Sequence, residues 1–308
     1  MMKLKNITLL GMLMLSTHLS FGQQDALFSQ YMFNPFAVNP AYAGSRRSIS
    51  SVLVHRSQWL GMQGAPNTQT LSVHSKAGAT KLAWGVNMAH DVIGPSRNFW
   101  GALTAGYHLQ LSTGQLSFAL RGGVFNSTLD RSKLDFDNQA DIYNVSGKES
   151  ALVPSFDFGA YYYTNRFYAG LSVNHLTKHT FNYDGYPTNT ELYLDRHYML
   201  MGGGVFEIKS GFVLKPSVML RYAEGAPFSF DANISALIKK IWWIGASLRK
   251  LNSIVLVTEF NVTDYLRLGY SFDLSLTELR KYNAGSHEFF IGFDFAPKKD
   301  NNLSPRYL

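Results

Sequence analysis

Two pairs of side chains stand at spacings that could do chemistry. His175 and His179 are four residues apart, an interval at which two imidazoles on one helix face can share a metal ion. The residues around them read as a surface loop, and the sequence places no third ligand beside them, so a structural or solvated role fits better. His287 and Glu288 are adjacent, a pairing that could supply an acid and a base. They fall in a strand, where neighbouring side chains leave on opposite faces and do not converge. No Gly-x-Ser-x-Gly elbow, His-Glu-x-x-His helix or phosphate-binding glycine loop occurs. The chain has no cysteine, which excludes disulfides, thiolate metal sites, a cysteine nucleophile and a lipidated N-terminal cysteine. Nothing here reads as a catalytic residue, a metal site or a cofactor site, and motif absence alone leaves open only a hydrolase built from Ser and His on adjacent strands.

What remains is charge, and its placement is patterned. In residues 155 to 164, Phe156, Phe158, Ala160 and Tyr162 point one way, and Asp157, Gly159 and Tyr161 the other. About 14 such segments, each some ten residues long and followed by a turn, fill residues 48 to 295. That length suits a tilted strand crossing a bilayer, which needs about 9–11 residues. The number is even, as in bacterial outer-membrane barrels. The expected fold is all-β, a transmembrane antiparallel β-barrel. Its polar face carries Arg121, Lys215, Arg221, Arg249 and Arg267, with Asp157, Asp231, Glu259, Asp273, Glu288 and Asp294. A charge facing lipid at mid-membrane costs roughly 2–4 kcal/mol, so this face must be the lumen. Both signs are present, which fits an internal network better than an ion-selective constriction, where one sign dominates. Glu259 and Arg267 flank the tight turn at Thr263-Asp264, and a cross-strand ion pair is expected there.

The connections sort by parity. Alternate ones are short, as at Ser112-Thr113-Gly114, Asn165, Lys239-Lys240 and Thr263-Asp264. The others are mostly longer, with very long ones at Asn126 to Pro154 and His175 to Asp195 and a medium one at Asp91 to Asn98. Short periplasmic turns opposite long extracellular loops are characteristic of outer-membrane barrels, and a soluble sandwich has no reason to sort its loops this way. The long loops hold Tyr143, Phe181, Tyr183, Tyr186 and Tyr193 in polar surroundings. Such aromatics either dock a partner or fold inward over the barrel mouth. The run Gly202-Gly203-Gly204 marks a bend, a bulge or the close approach of a plug, with local curvature the simplest reading.

Lys3 and Lys5, the apolar run Ile7 to Leu15 and the small-residue exit Ser20-Phe21-Gly22 form a signal peptide over 1–22, with cleavage expected before Gln23. Residues 23–47 then precede the barrel, and 296–308 form a polar tail. The formal net charge of +7 is modest. On a barrel it fits lumen charge and contact with outer-membrane lipid better than nucleic-acid binding.

One segment belongs to no strand: Gln30-Tyr31-Met32-Phe33-Asn34-Pro35-Phe36-Ala37-Val38-Asn39-Pro40-Ala41-Tyr42-Ala43-Gly44-Ser45. Its Asn-Pro pairs initiate turns, so the residues alone indicate ordered, non-regular chain. This segment resembles the start of the mature chain in the PorP/SprF family of outer-membrane proteins of the type IX secretion system. Gln30, Tyr31, Asn34, Asn39, Pro40, Ala41, Tyr42 and Gly44 match its pattern. Arg56, Gln58 and Trp59, Asp91 with Ile93-Gly94, and Leu116 to Gly123 add weaker matches. The resemblance implies a non-enzymatic barrel that supports secretion or surface anchoring of a large secreted protein, such as a gliding adhesin, through a particular C-terminal domain, beside periplasmic components of the system. It also implies that the motif residues hold the N-terminal segment against the periplasmic side or inside the lumen, as part of partner binding. The alternative is a channel for a small or hydrophobic solute.

Overall fold

The computed structural model describes residues 29–46, 48–138, 144, 147–181, 192–224 and 226–295. The expected signal peptide and the tail after Phe295 lie outside the described residues. The first strands are β1 (Ile49–Ser57), β2 (Asn67–Lys76), β3 (Leu82–Ile93), β4 (Ser96–Gln110), β5 (Gln115–Asp130), β6 (Lys148–Tyr163) and β7 (Phe167–Asn174). A small hairpin of β8 (His179–Phe181) and β9 (Leu192–Leu194) follows. Then come β10 (His197–Gly204), β11 (Phe206–Lys209), β12 (Phe212–Ala223) and β13 (Ser229–Ile238). The chain continues as β14 (Trp242–Arg249), β15 (Ser253–Asn261), β16 (Leu266–Ser275) and β17 (Ser286–Phe295).

Neighbours pair antiparallel, and β17 returns to β1 with Ile49 opposite Phe295 and Ser57 opposite His287. β10 pairs with both β7 and β12, so 14 strands close into a ring. Closure satisfies every ladder hydrogen bond inside the strand set, the condition for a β-structure to span a bilayer. The extra strand, β11, pairs only with β12 and lies at the short-turn end.

Strand faces follow the alternation. Asp231 and Glu288 are 0% exposed, whereas Leu103 is 69% and Leu120 62% exposed. That is inside-out relative to a water-soluble protein and identifies the outer surface as the lipid-facing one. Asp157 and Tyr161 point inward and Phe156 outward, as the sequence requires.

The connections differ from expectation on the long-loop side. Asp91 to Asn98 is not a loop: β3 and β4 run on and turn at Gly94-Pro95, where Gly94 has φ +54°. The long loop expected from Asn126 is strand as far as Asp130 and resumes as strand at Lys148. Polar side chains stitch this extension together: Asn126 Nδ2 donates to Ser150 Oγ at 2.9 Å, and Ser127 Oγ to Asn98 Oδ1 at 2.8 Å. These strands pass beyond the apolar band, so the lipid-facing signal that marks a strand in sequence fades while pairing continues. The glycine run lies in β10, where a Cβ at Gly203 would come within 2.6 Å of the Tyr168 hydroxyl. A wall side chain, not a plug, makes that close approach.

Fourteen strands enclose a lumen too wide for wall side chains alone to fill. Residues 29–46 fill it. Tyr31, Met32, Phe33, Phe36 and Tyr42 are each at most 2% exposed and pack with Trp243, Phe290 and Tyr161 from the wall. Two Asn-Pro pairs shape this segment. Asn34-Pro35 opens a single helical turn, Pro35–Val38, and Asn39-Pro40 opens a 3-10 turn, Pro40–Tyr42. Asn39 Oδ1 accepts from Ala41 N at 2.9 Å, and proline sits where no amide hydrogen is needed.

Candidate functional site

The site is the lumen itself: the plug, the charged wall that grips it, and the space left above it. Grip occurs at three levels. Near the short-turn end, Arg46 lies 3.0 Å and Arg267 2.9 Å from the same oxygen of Asp294. Arg267 also reaches Glu259 at 3.4 Å, forming the ion pair expected across the Thr263-Asp264 turn. His108 Nε2 donates to the Ala43 carbonyl at 2.8 Å, and Gly44 N donates to His74 Nδ1 at 3.2 Å.

From the level of Ser117, which pairs with His108, up to mid-height, the wall binds plug backbone. Ser117 and Ser172 donate to the carbonyls of Ala41 and Val38 at 2.6 and 2.8 Å. Lys215 donates to the Met32 carbonyl at 3.3 Å and lies near the rings of Tyr168 and Trp243. Arg121 pairs with Asp157 at 2.6 Å and donates to the carbonyls of Phe36 and Ala37 at 3.4 Å. Asn39 Nδ2 reaches the backbone of two strands, Ala160 O at 3.1 Å and Leu171 O at 3.2 Å. Aromatic rings interlock here: Tyr42 meets His74 and Tyr161 edge-on, and Phe33 lies against Trp243 and Phe290.

Toward the long-loop end, both carboxylate oxygens of Glu288 accept backbone amides of the plug, from Ser29 at 2.8 Å and Gln30 at 2.9 Å. Arg56 joins Ser29 Oγ, Glu288 and Asp273 at 2.6, 3.3 and 3.2 Å. Arg249 bridges Asp273 and Asp231, and Arg221 takes the other oxygen of Asp231. The lumen charges read from sequence thus fall into three ion-pair groups: Arg221, Arg249, Asp231, Asp273 and Glu288 joined through Arg56, Arg267 with Glu259 and Asp294, and Arg121 with Asp157. Each charge is desolvated, and each needs its partner.

Wall glycines are notches for this plug. A Cβ on Gly85 would collide with the Phe36 ring, one on Gly159 with Asn39 Oδ1, and one on Gly269 would come within 2.6 Å of Gln30 Oε1. The wall and the segment are shaped for each other.

Comparison with known proteins supplies the lineage. The model of the "Type IX secretion system membrane protein PorP/SprF" family matches residues 20–293. The chain belongs to the PorP/SprF family. Among curated proteins none matches this sequence. Solved structures with similar backbones are outer-membrane barrels. The CymD monoaromatic hydrocarbon channel has a TM-score of 0.52 at 12% identity, covering 89% of this chain and 95% of that one. A Pseudomonas aeruginosa FadL homologue has 0.51 at 11% identity, covering 86% and 94%. These likenesses establish the fold, an outer-membrane β-barrel, and nothing about cargo.

In this PorP/SprF barrel the family-motif residues Gln30, Tyr31, Asn34, Asn39, Pro40, Ala41, Tyr42 and Gly44 are all buried in the lumen. They touch the barrel's own wall. Sequence reading missed Ser29, Phe33, Phe36 and Arg46 as members of the same set. For Phe36 the available signal was the inward-facing Gly85 opposite its ring. Of the loop aromatics, Tyr143, Tyr183 and Tyr186 lie outside the described residues, while Phe181 and Tyr193 fall on β8 and β9. His175 takes the structural rather than the solvated of its two expected roles. It is 4% exposed, with Nδ1 2.8 Å from Ser155 Oγ and its amide donating to Asp157 at 2.8 Å. It follows β7 as a left-handed residue (φ +55°) that turns its ring into the lumen, where the reading of a surface loop had not placed it. Among the described residues no group of three or more candidate ligands converges on a metal position.

Above the plug, on the long-loop side, two adjoining cavities of about 350 and 410 Å³ share Thr68, Asp91, Ser229 and Lys250. At the rim, Lys178 Nζ ties Glu224 at 3.0 Å to Asp195 at 3.2 Å. Its hydrogen bond holds the Glu224 carboxyl below the usual carboxylate range.

Proposed function

We propose that this barrel is a non-enzymatic component of type IX secretion that supports secretion or surface anchoring of a large secreted protein, such as a gliding adhesin, through that protein's C-terminal domain. Family membership supports the system. The observation that carries the reading is the plug, a segment of eighteen residues, 29–46, fitted to the lumen at every level. A solute channel needs a continuous polar path, whereas this lumen is occupied by the segment that matches the family pattern. In this reading the barrel is a platform, delivered to the outer membrane by a cleaved signal peptide. The motif residues serve the partner indirectly, by fixing the plug. Tyr143, Phe181, Tyr183, Tyr186 and Tyr193 dock the partner at the surface. Periplasmic components meet the opposite rim, where Arg166, Lys209, Lys239 and Lys240 are exposed.

Affinity purification of the detergent-solubilised barrel, with co-purifying proteins identified by mass spectrometry, tests this. A secreted protein held through its C-terminal domain is expected, and its surface display is expected to fail when residues 30–44 are deleted. Normal display after that deletion, or a barrel that purifies alone and conducts small solutes, would refute the reading.

A further inference from the structure

We infer that residues 23–28, the start of the chain after the expected cleavage, leave the lumen through the long-loop mouth and dock in the chamber above the plug. The mature N-terminus then lies on the side of the membrane that the long loops face. This goes beyond the function proposed above and needs no secreted partner. One strand carries the polarity of the plug. In β17, Glu288 near the long-loop end binds the amides of Ser29 and Gln30, and Asp294, six positions toward the short-turn end, binds Arg46. The plug therefore starts at the top of the lumen and descends to β1. Whatever precedes Ser29 is attached at the top.

From that point one way out remains. Below Ser29 the lumen is filled: Gln30, Tyr31, Met32, Phe33 and Phe36 are at most 2% exposed, and rings of plug and wall interlock. A second pass of chain would need space that a close-packed interior does not have. The wall offers no exit, because its strands pair around the whole ring. Glu288 sits two residues inside the end of β17, roughly 7 Å along a strand. Five residues, Gln24 to Phe28, span up to about 17 Å when extended, enough to clear the mouth.

The chamber suits this occupant. Its cavity of about 410 Å³ opens where the plug begins, since Arg56, which donates to Ser29 Oγ at 2.6 Å, is part of the lining. Trp59, Ile93 and Leu279 supply apolar surface there for Leu27 and Phe28. Lys250 lines both cavities, and Asp25, of opposite sign, is the one charged side chain in residues 23–28. Covalent attachment to Ser29 holds Phe28 beside the cavity at an effective concentration that a free ligand would have to match.

The chain has no cysteine, so single substitutions report the side of the membrane directly. Gln24→Cys is compared with Tyr282→Cys, at an exposed long-loop position, and Lys240→Cys, at an exposed short-turn position. Each is treated with a membrane-impermeant maleimide, in intact cells and after the outer membrane is permeabilised. Labelling of Gln24→Cys and Tyr282→Cys in intact cells, with Lys240→Cys labelled only after permeabilisation, is the expected result. A Gln24→Cys that follows Lys240→Cys, or that stays unlabelled in both preparations, overturns the exit. Benzoylphenylalanine in place of Phe28 tests the docking. After irradiation, an adduct within the same chain to a peptide carrying Trp59, Lys250 or Leu279 is expected. An adduct with another protein or with short-turn residues, or no adduct, overturns the chamber as the place of this segment. Unchanged heat-modifiable mobility shows that each variant tested is a folded barrel.

Discussion

Glu288 shows how much a single residue carries. It closes the β17 face of the lumen, pairs with Arg56 and accepts the first two described amides of the plug. Replacing it with alanine leaves Arg56 beside an emptied position and two backbone donors unmet. Removing one partner of a buried pair costs about 3–5 kcal/mol. Thermal unfolding of the purified barrel should therefore show Glu288→Ala well below wild type, with Glu288→Gln between them because the amide still accepts hydrogen bonds. Equal unfolding temperatures for all three would remove Glu288 from the grip. At the rim the Lys178–Glu224 bond gives a pH signature. The Glu224 carboxyl is held low in the folded state, so its contribution is present above the ordinary carboxylate range and is lost as pH falls through the depressed value. Limited proteolysis of the 175–196 loop should accelerate on acidification below the ordinary carboxylate range, and Glu224→Gln should show the faster cleavage already at neutral pH.

At the scale of elements, the glycine notches make the fit between wall and plug testable. Gly159→Val places carbon where Asn39 lies, so the plug should be displaced and single-channel conductance in a planar bilayer should rise. Ala160→Val, one residue along and facing lipid, should leave the barrel closed. Equal conductance in the two variants would mean that the plug does not seal the lumen at this level. These elements also show what could be read beforehand. Strand faces from β12 to β17 were legible because lipid on one side and charge on the other impose a strict period of two. The pair Glu259–Arg267 followed from the same alternation across a tight turn. The continuation of β5 and β6 was not legible, since Asn126, Ser127, Thr128 and Ser150 pair in water, where alternation carries no apolar signal. The buried role of His175 depends on backbone geometry that puts it beside Ser155 and Asp157, residues of another strand. Spacing along the chain does not encode that.

For the whole molecule, the ring and its filling are separable. The β1–β17 and β10–β12 pairings that close the ring are ladder hydrogen bonds that do not pass through residues 29–46. Deleting residues 30–44 should leave a folded barrel with the heat-modifiable mobility of wild type. It should unfold at lower temperature, because the aromatic core around Phe33, Phe36 and Tyr42 is lost. A deletion variant that fails to form a barrel would make the plug a template for closure.

The grip of Glu288 on Ser29 and Gln30 spans 259 and 258 positions of sequence. A closed ring cannot be filled sideways, so the segment either lodges before the last strand zips against the first or threads the finished ring endwise from the short-turn end, where Arg46 leads into β1. Lodging before closure would give assembly an order, with long-range contacts made late and slowly. An insertion intermediate halted before that final seam would still have its N-terminal segment accessible to proteases. The completed barrel would conceal it, so cleavage in that segment would time-stamp maturation.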